Sequence, residues 1–165
     1  MNFFAPPSLD EKSAVVRVGA DCSSRIGFFT YVLENCTDLK TQLVVTLHQD
    51  AHVHACRLYM IRATAETADA PDTTAQVEQL RQQLIVLHPA LPGSHALVWI
   101  CFVGCAESVR DDHRMFFYER LRDMWLTTRY DNIKVAMETL QELRNGPKHI
   151  KWTTQLPRIS KTIIM

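Results

Sequence analysis

The run ALVWICFVGCA, residues 96–106, constrains this chain more than any other feature. No residue in it is charged or strongly polar, so no face of the segment can be turned to water. A helix surrounded by other elements satisfies its own backbone hydrogen bonds while burying such a surface. A buried strand is the competing reading, since Val98, Ile100, Phe102 and Val103 favour extended backbone. Helix is preferred because the run exceeds a usual strand and continues into Glu107. It is also too short to span a bilayer. The chain must therefore supply enough other structure to wrap this segment, and 165 residues of 47% apolar composition are a single domain's worth.

The wrapping elements read as helices. Thr37 or Asp38 is placed to cap a long helix that runs to about Ala65. Within it Leu43, Leu47, Ala51, Leu58 and Ile61 fall in one narrow sector, which is expected to face the core. Residues 64–74, TAETADAPDTT, form a linker. Thr73 with Gln76 has capping-box spacing, and Val77, Leu80, Leu84 and Leu87 follow at helical intervals. Pro89, Pro92 and Gly93 break the chain, and Ser94 can cap the apolar helix. Asp111 or Asp112 begins the next, with Phe117, Leu121, Met124, Trp125 and Thr128 along one side. Asp131 or Asn132 begins another, striped by Ile133, Ala136, Met137, Leu140 and Leu143. Asn145-Gly146-Pro147 closes it as a C-cap glycine and a following proline. Near the N-terminus, Ser8 with Glu11 and the segment Arg25 to Glu34 are weaker helix candidates. The expected fold is all-α, an irregular array of about five to six helices around a buried central one. Residues 1–165 are read as one α-helical domain, with 1–7 as a flexible arm and 153–165 as a tail, docked or loose.

Between residues 48 and 56, HQDAHVHAC places His48, Asp50, His52, His54 and Cys56 together, all of them possible metal ligands. On a helical wheel His54 lies about 20° from Leu43, inside the expected core stripe, whereas His48 and His52 lie about 140° and 180° away. The three imidazoles cannot converge while the segment is helical. His48 and His52 have the spacing of a zinc protease motif, but Gln49-Asp50-Ala51 stands where that chemistry needs a glutamate. His48, His52 and Cys56 span about 12 Å along the axis, too far to share one ion. The expectation is that His48 and His52 are partly exposed, that His54 is a hydrogen-bonded histidine at a packing surface, and that no metal is bound.

No other constellation assembles a reaction. Cys101 and Cys105 lie in the buried run, where apolar surroundings raise a thiol's pKa and leave it inert. Gly104 stands alone, without a phosphate-binding glycine loop. Asp111, Asp112 and Asp131 sit where helices begin, and capping accounts for them. No catalytic, cofactor-binding or metal-ligating residue is assigned, and no cofactor is expected. Lys plus Arg and Asp plus Glu each number 18, and Arg110, Arg114, Arg120 and Arg122 alternate with Asp111, Asp112, Glu119 and Asp123 as on a solvated face. Phosphate binding needs a clustered basic surface, so direct contact with nucleic acid is not expected. The five cysteines, Cys22, Cys36, Cys56, Cys101 and Cys105, are odd in number and irregularly spaced. No secretory signal is evident, so reduced thiols in an intracellular compartment are expected.

The stretch LVWICFVGCAESVRDDHRMFFYERLRDMW resembles the C-terminal part of the fungal-specific transcription factor domain found in zinc-cluster regulators. The resemblance rests on Leu97, Trp99, Gly104, Ala106 and Glu107, then Arg114, Phe116, Phe117, Arg120 and Leu121, with DNIKVAMETLQEL and Trp152 following in order. Upstream, HACRLYMIRA is similar to a family helix patterned on Ala55, Tyr59 and Arg62. It covers most of the chain from about Leu39, and its specificity is in the order and spacing of the motifs. The resemblance implies a non-catalytic, α-helical regulatory region that modulates a DNA-bound activator or repressor in the nucleus. The family's zinc cluster, with its two Cys-x-x-Cys pairs, is missing here, and the chain is shorter than the family's full helical region. It reads as a fragment of a larger regulatory domain or a truncated paralogue. Protein partners or self-association through an apolar helical face are expected, with no membrane contact. A small-molecule sensor with a pocket near the Trp99 helix is the alternative.

Overall fold

The computed structural model describes residue 27 and residues 30–87 and 96–159. Six helices carry the fold: α1 (Leu39–Thr64), α2 (Thr74–Ile85), α3 (Leu97–Glu107), α4 (Asp111–Thr128), α5 (Asp131–Asn145) and α6 (Trp152–Ile159). No strand occurs among the described residues. The architecture is all-α, as the periodicity predicts. Ser94 and the Ser8 box lie outside the described residues; of the 25–34 segment, residues 27 and 30–34 are described and are helical, as expected.

The apolar run occupies the centre. Helix α3 touches α1, α2, α4 and α5, and nine of its 11 residues are buried. Helix α6 closes one end by packing on α5 and α1, so the segment beginning at Trp152 docks as a helix. Tyr59, Trp99, Phe102 and Trp152 form an aromatic cluster where α1, α3 and α6 meet, with neighbouring centroids 5.6–6.1 Å apart. Such pairs add about 0.5–1.5 kcal/mol each beyond the area they bury.

Gly104 sets how closely α3 and α4 approach. A Cβ there would lie 2.6–2.7 Å from the Phe117 ring, far inside van der Waals contact, and that ring is fully buried. Gly104→Ala gains roughly 1 kcal/mol of helix propensity but overpacks the interface at about 1–3 kcal/mol. Because the ring has no solvent to move into, overpacking prevails, and a net loss of about 1–2 kcal/mol is expected in urea unfolding. In a Phe117→Leu background the same change should become neutral or stabilising. If alanine costs as much there, steric contact with the ring is not the cause.

Helix ends follow the sequence in some places and depart from it in others. Asp38 is the N-cap of α1: its carboxylate accepts a hydrogen bond from the Thr41 amide at 2.9 Å, and the Thr41 hydroxyl holds it below the usual carboxylate range. Thr73 occupies the N-cap position of α2 without capping it. Its hydroxyl is taken by Glu107, and Asp72 instead accepts the Thr74 amide at 2.9 Å. Gly146 ends α5 with φ −74° and ψ 175°, not in the left-handed conformation of a glycine C-cap. Space explains this glycine, since a Cβ would collide with Gln155 Oε1. The left-handed residue is Arg129, φ 58°, which ends α4 and lays its guanidinium 4.7 Å from the centre of the Trp125 ring.

The buried face of α1 corrects the wheel drawn from its leucines. His48, Ala51, His52, Ala55, Cys56, Leu58, Tyr59, Arg62 and Ala63 are buried, a face rotated by roughly a quarter turn from the predicted one. Leu43 is exposed, and Leu47 and Ile61 are half-buried. His48 and His52, expected at the surface, lie in the core; His54 lies outside it, with Nδ1 3.0 Å from Gln83 Oε1. The physical reason is that the leucines, valines and isoleucine of α1 lie on several sides of the helix, so they do not by themselves mark the face that packs.

The predicted solvated face holds for Arg110 and Arg114, which pair with Asp112 and Asp111 at 2.6 Å. Arg120 leaves it. Its Nη1 donates to the Leu87 carbonyl at 2.6 Å, and its guanidinium lies 5.0 Å from the centre of the Phe116 ring. Cys36, Cys101 and Cys105 are free, as expected, and burial pushes the Cys101 and Cys105 thiols up to about 12. Cys56 departs from that expectation and is disulfide-bonded; it lies at the rim of the buried face of α1, within reach of a second sulfur.

Candidate functional site

Glu107, the last residue of α3, is the polar centre of the molecule. Its side chain is 1% exposed and that of Arg62 is 6% exposed. Arg62 Nη2 donates to Glu107 Oε1 at 2.6 Å, and Arg62 Nε lies 3.0 and 3.2 Å from Oε1 and Oε2. The Thr73 hydroxyl donates to Oε1 at 2.6 Å, and the Trp152 indole donates to Oε2 at 2.7 Å. Both carboxylate oxygens are thus occupied by donors from α1, the start of α2, and α6.

The remaining guanidinium hydrogens bind the linker between α1 and α2. Arg62 Nη1 donates to the carbonyls of Ala68 and Ala70 at 2.5 and 3.3 Å, and Nη2 to that of Pro71 at 3.2 Å. One buried ion pair therefore ties together three regions distant in sequence: residues 62–73, the end of α3 and the start of α6. Its charges survive burial because every strong donor and acceptor is met. A carboxylate committed to four donor groups has no role left as a general base or nucleophile.

Beside this pair lies a cleft of about 490 Å³, floored by Cys105, Ala106 and Trp152 and walled by the ends of α3, α5 and α6. Arg62 and Glu107 face it, as do Arg114, Arg144, Lys148, Lys151 and Asp69. A second cleft, of about 370 Å³ between α1 and α2, is lined by Gln49, Gln76, Gln79 and Gln83 with Asp50, His54 and Arg57, and gathers no excess charge. Helices α2 and α4 are linked through Glu78, whose Oε2 lies 2.8 Å from His113 Nε2 but out of line with the ring N–H. Hydrogen bonds from Arg81 first, then Gln82, pull the Glu78 carboxyl down to about 2.

Among the described residues, no three His, Cys, Asp or Glu side chains converge as a metal site would require. His48, His52 and Cys56 share the buried face of α1, while Asp50 and His54 lie off it. Arg62 and Trp152 enter the sequence reading only through the resemblance, and Glu107 there and as the residue that ends the apolar run, none with a role. Thr73 enters as a cap. A glutamate ending a strongly apolar helix was the available signal, since a charge there needs a partner.

The fold and this site define an all-helical domain whose buried polar groups hold helices to one another. The family model described as fungal specific transcription factor domain matches residues 22–160, and the chain belongs to that family. The family is regulatory, which implies the nucleus as its setting. No curated protein and no solved structure matches. No helix among the described residues is long and apolar enough to cross a membrane.

Proposed function

We propose that this chain is a non-catalytic regulatory domain that acts through protein contacts and does not bind DNA by itself. The supporting observation is the first part of α1. Every buried residue of that helix falls at His48 or beyond, and within residues 39–47 Leu47 packs against the core while two leucines earlier in the helix do not. Leu39 and Leu43 are exposed there, one helical turn apart, with Val44, Val45 and Leu47 half-buried beside them. An apolar helical stripe of this kind is what a groove on another protein, or on a second copy, recognises. The equal numbers of acidic and basic residues argue against unaided binding to nucleic acid.

The test joins the full chain to an unrelated DNA-binding domain upstream of a reporter gene, with and without Leu39→Gln and Leu43→Gln. The wild-type chain is expected to change reporter output, and the double variant to lose most of that effect while unfolding at the same temperature. Light scattering on both proteins separates self-association, which the double variant should abolish, from a partner in the cell. If the double variant regulates as the wild type does and has the same mass in solution, the α1 stripe is not the contact.

A further inference from the structure

We infer that the cleft between α1 and α2 is a binding site for a small uncharged polyhydroxy ligand, a free sugar or a cyclic polyol. The sequence places polar groups there at helical spacing. Gln76, Gln79 and Gln83 stand at i, i+3 and i+7 along one face of α2, and Asp50, His54 and Arg57 at i, i+4 and i+7 along α1. The cleft they enclose is about 370 Å³, a size that suits a metabolite rather than a polymer.

A simpler role for these carboxamides is to join the two helices, and one of them does so. Gln83 Oε1 lies 3.0 Å from His54 Nδ1 across the cleft. Gln76 does not. Its spacing to Thr73 predicts that its side chain reaches back to the Thr73 amide as the second half of a capping box. The Thr73 hydroxyl serves Glu107 instead, and Gln76 Oε1 is buried with no hydrogen-bond donor among the described residues. A buried acceptor left in that state is unfavourable. Because Gln76 lines the cleft, an occupant that carries a donor is placed to relieve it.

The lining also selects the kind of occupant. Among the described residues its charged members are Asp50 and Arg57, which offset each other, so an uncharged ligand is balanced there. No aromatic side chain is among them, so a flat base or ring finds nothing to stack on. Hydroxyl groups match the carboxamides best. Each hydroxyl both donates and accepts, and each glutamine offers two donors and an acceptor, so neighbouring hydroxyls pair with one amide on both its atoms. Val53 and Ile61 supply apolar wall for the carbon skeleton. This site stands apart from the protein-contact reading, and ligand binding is measurable whether or not the α1 stripe has a partner.

The experiment is calorimetric titration and thermal unfolding of the full chain with D-glucose, D-galactose and myo-inositol. Trimethylamine N-oxide, an osmolyte that stabilises by exclusion and carries no hydroxyl group, serves as the control. At least one of the three polyols is expected to give saturable heat and a saturable rise in melting temperature at millimolar concentration, with the control giving neither. Gln76→Met keeps the bulk of the side chain and removes the acceptor. It should raise the half-saturating concentration about three- to tenfold, the size of one lost hydrogen bond. Its unliganded melting temperature should hold or rise, because the orphaned oxygen is gone; a glutamine needed only for packing would lower it and leave binding unchanged. Gln79→Ala, at an exposed position, should weaken binding about threefold without altering the melting temperature. The inference is overturned if none of the three polyols saturates, if the control reproduces the effect, or if Gln76→Met binds as the wild type does. Should Gln76→Met not fold, wild-type binding by Gln79→Ala overturns it.

Discussion

Glu107→Ala is expected to lower the stability of the domain by about 3–5 kcal/mol, the cost of removing one partner from a buried ion pair. The substitution leaves the Arg62 guanidinium inside the protein with its linker carbonyls but no counter-charge. It also strips the Thr73 hydroxyl and the Trp152 indole of their acceptor. Ordinary domains are stable by only about 5–15 kcal/mol, so the variant should show a sizeable unfolded fraction on warming. Urea unfolding measures the loss directly. Adding Arg62→Met to Glu107→Ala should cost well under the sum of the single changes, because the second substitution removes the charge that the first stranded. A coupling of about 1.5–3 kcal/mol is expected. A loss below about 1 kcal/mol for Glu107→Ala, where the desolvation cost of an unpaired buried group begins, would mean that water reaches Arg62 and that the pair is not sealed.

Trp152→Ala is expected to cost a comparable 3–5 kcal/mol, the range for deleting a large buried aromatic. The ring meets Tyr59 and Phe102 edge-on at 5.6 and 6.1 Å, and its indole nitrogen serves Glu107. Trp152→Phe separates these parts, because it retains most of the ring packing and removes only the donor. Its cost should be nearer 1–3 kcal/mol, since Glu107 keeps Arg62 and Thr73. Hydrogen exchange locates the effect. In Trp152→Ala the amides of α6 should lose protection before those of α3, because α6 meets α3 through the Trp152 side chain that the substitution deletes, while α3 stays enclosed by α1, α2, α4 and α5. If α6 and α3 lose protection together, the molecule opens as one unit and α6 is not a separately docked element.

The two variants act at one junction, and that junction is where the sequence was least legible. The pair Arg62 and Glu107, like the pair Glu107 and Trp152, is separated by 45 positions. No local pattern announces such a pairing. The family resemblance marks all three residues, but a resemblance names positions without saying what they touch. Thr73 shows the same gap from the other side. Its spacing to Gln76 describes a helix cap, yet the hydroxyl serves a carboxylate 34 positions away, because a buried charge left without a donor costs more than an uncapped amide.

Helix α1 shows why periodicity alone misplaced the histidines. A leucine stripe identifies the core when the apolar residues of a helix are concentrated on one side, as in α5, where Ile133, Ala136, Leu140 and Leu143 are buried as predicted. In α1 they lie on several sides, and the face that packs carries His48, His52, Tyr59 and Arg62 beside its alanines. The histidine cluster then becomes part of an ordinary packing surface. Gly104 and Gly146 follow the same logic, since each is glycine for what stands opposite it, the Phe117 ring in one case and Gln155 in the other.

By itself, the sequence determined the all-helical class, the enclosure of residues 97–107, a cap of α1 at Thr37 or Asp38 and the stripe of α5. Each depends on neighbours within a few turns, where the geometry of one helix settles the outcome. Tertiary structure alone decided which side of α1 is buried, what Glu107 binds, why two glycines are required, and how four scattered cations come to share one cleft. Those are encounters between segments far apart along the chain, and a position's own spacing carries no record of the surface that will meet it.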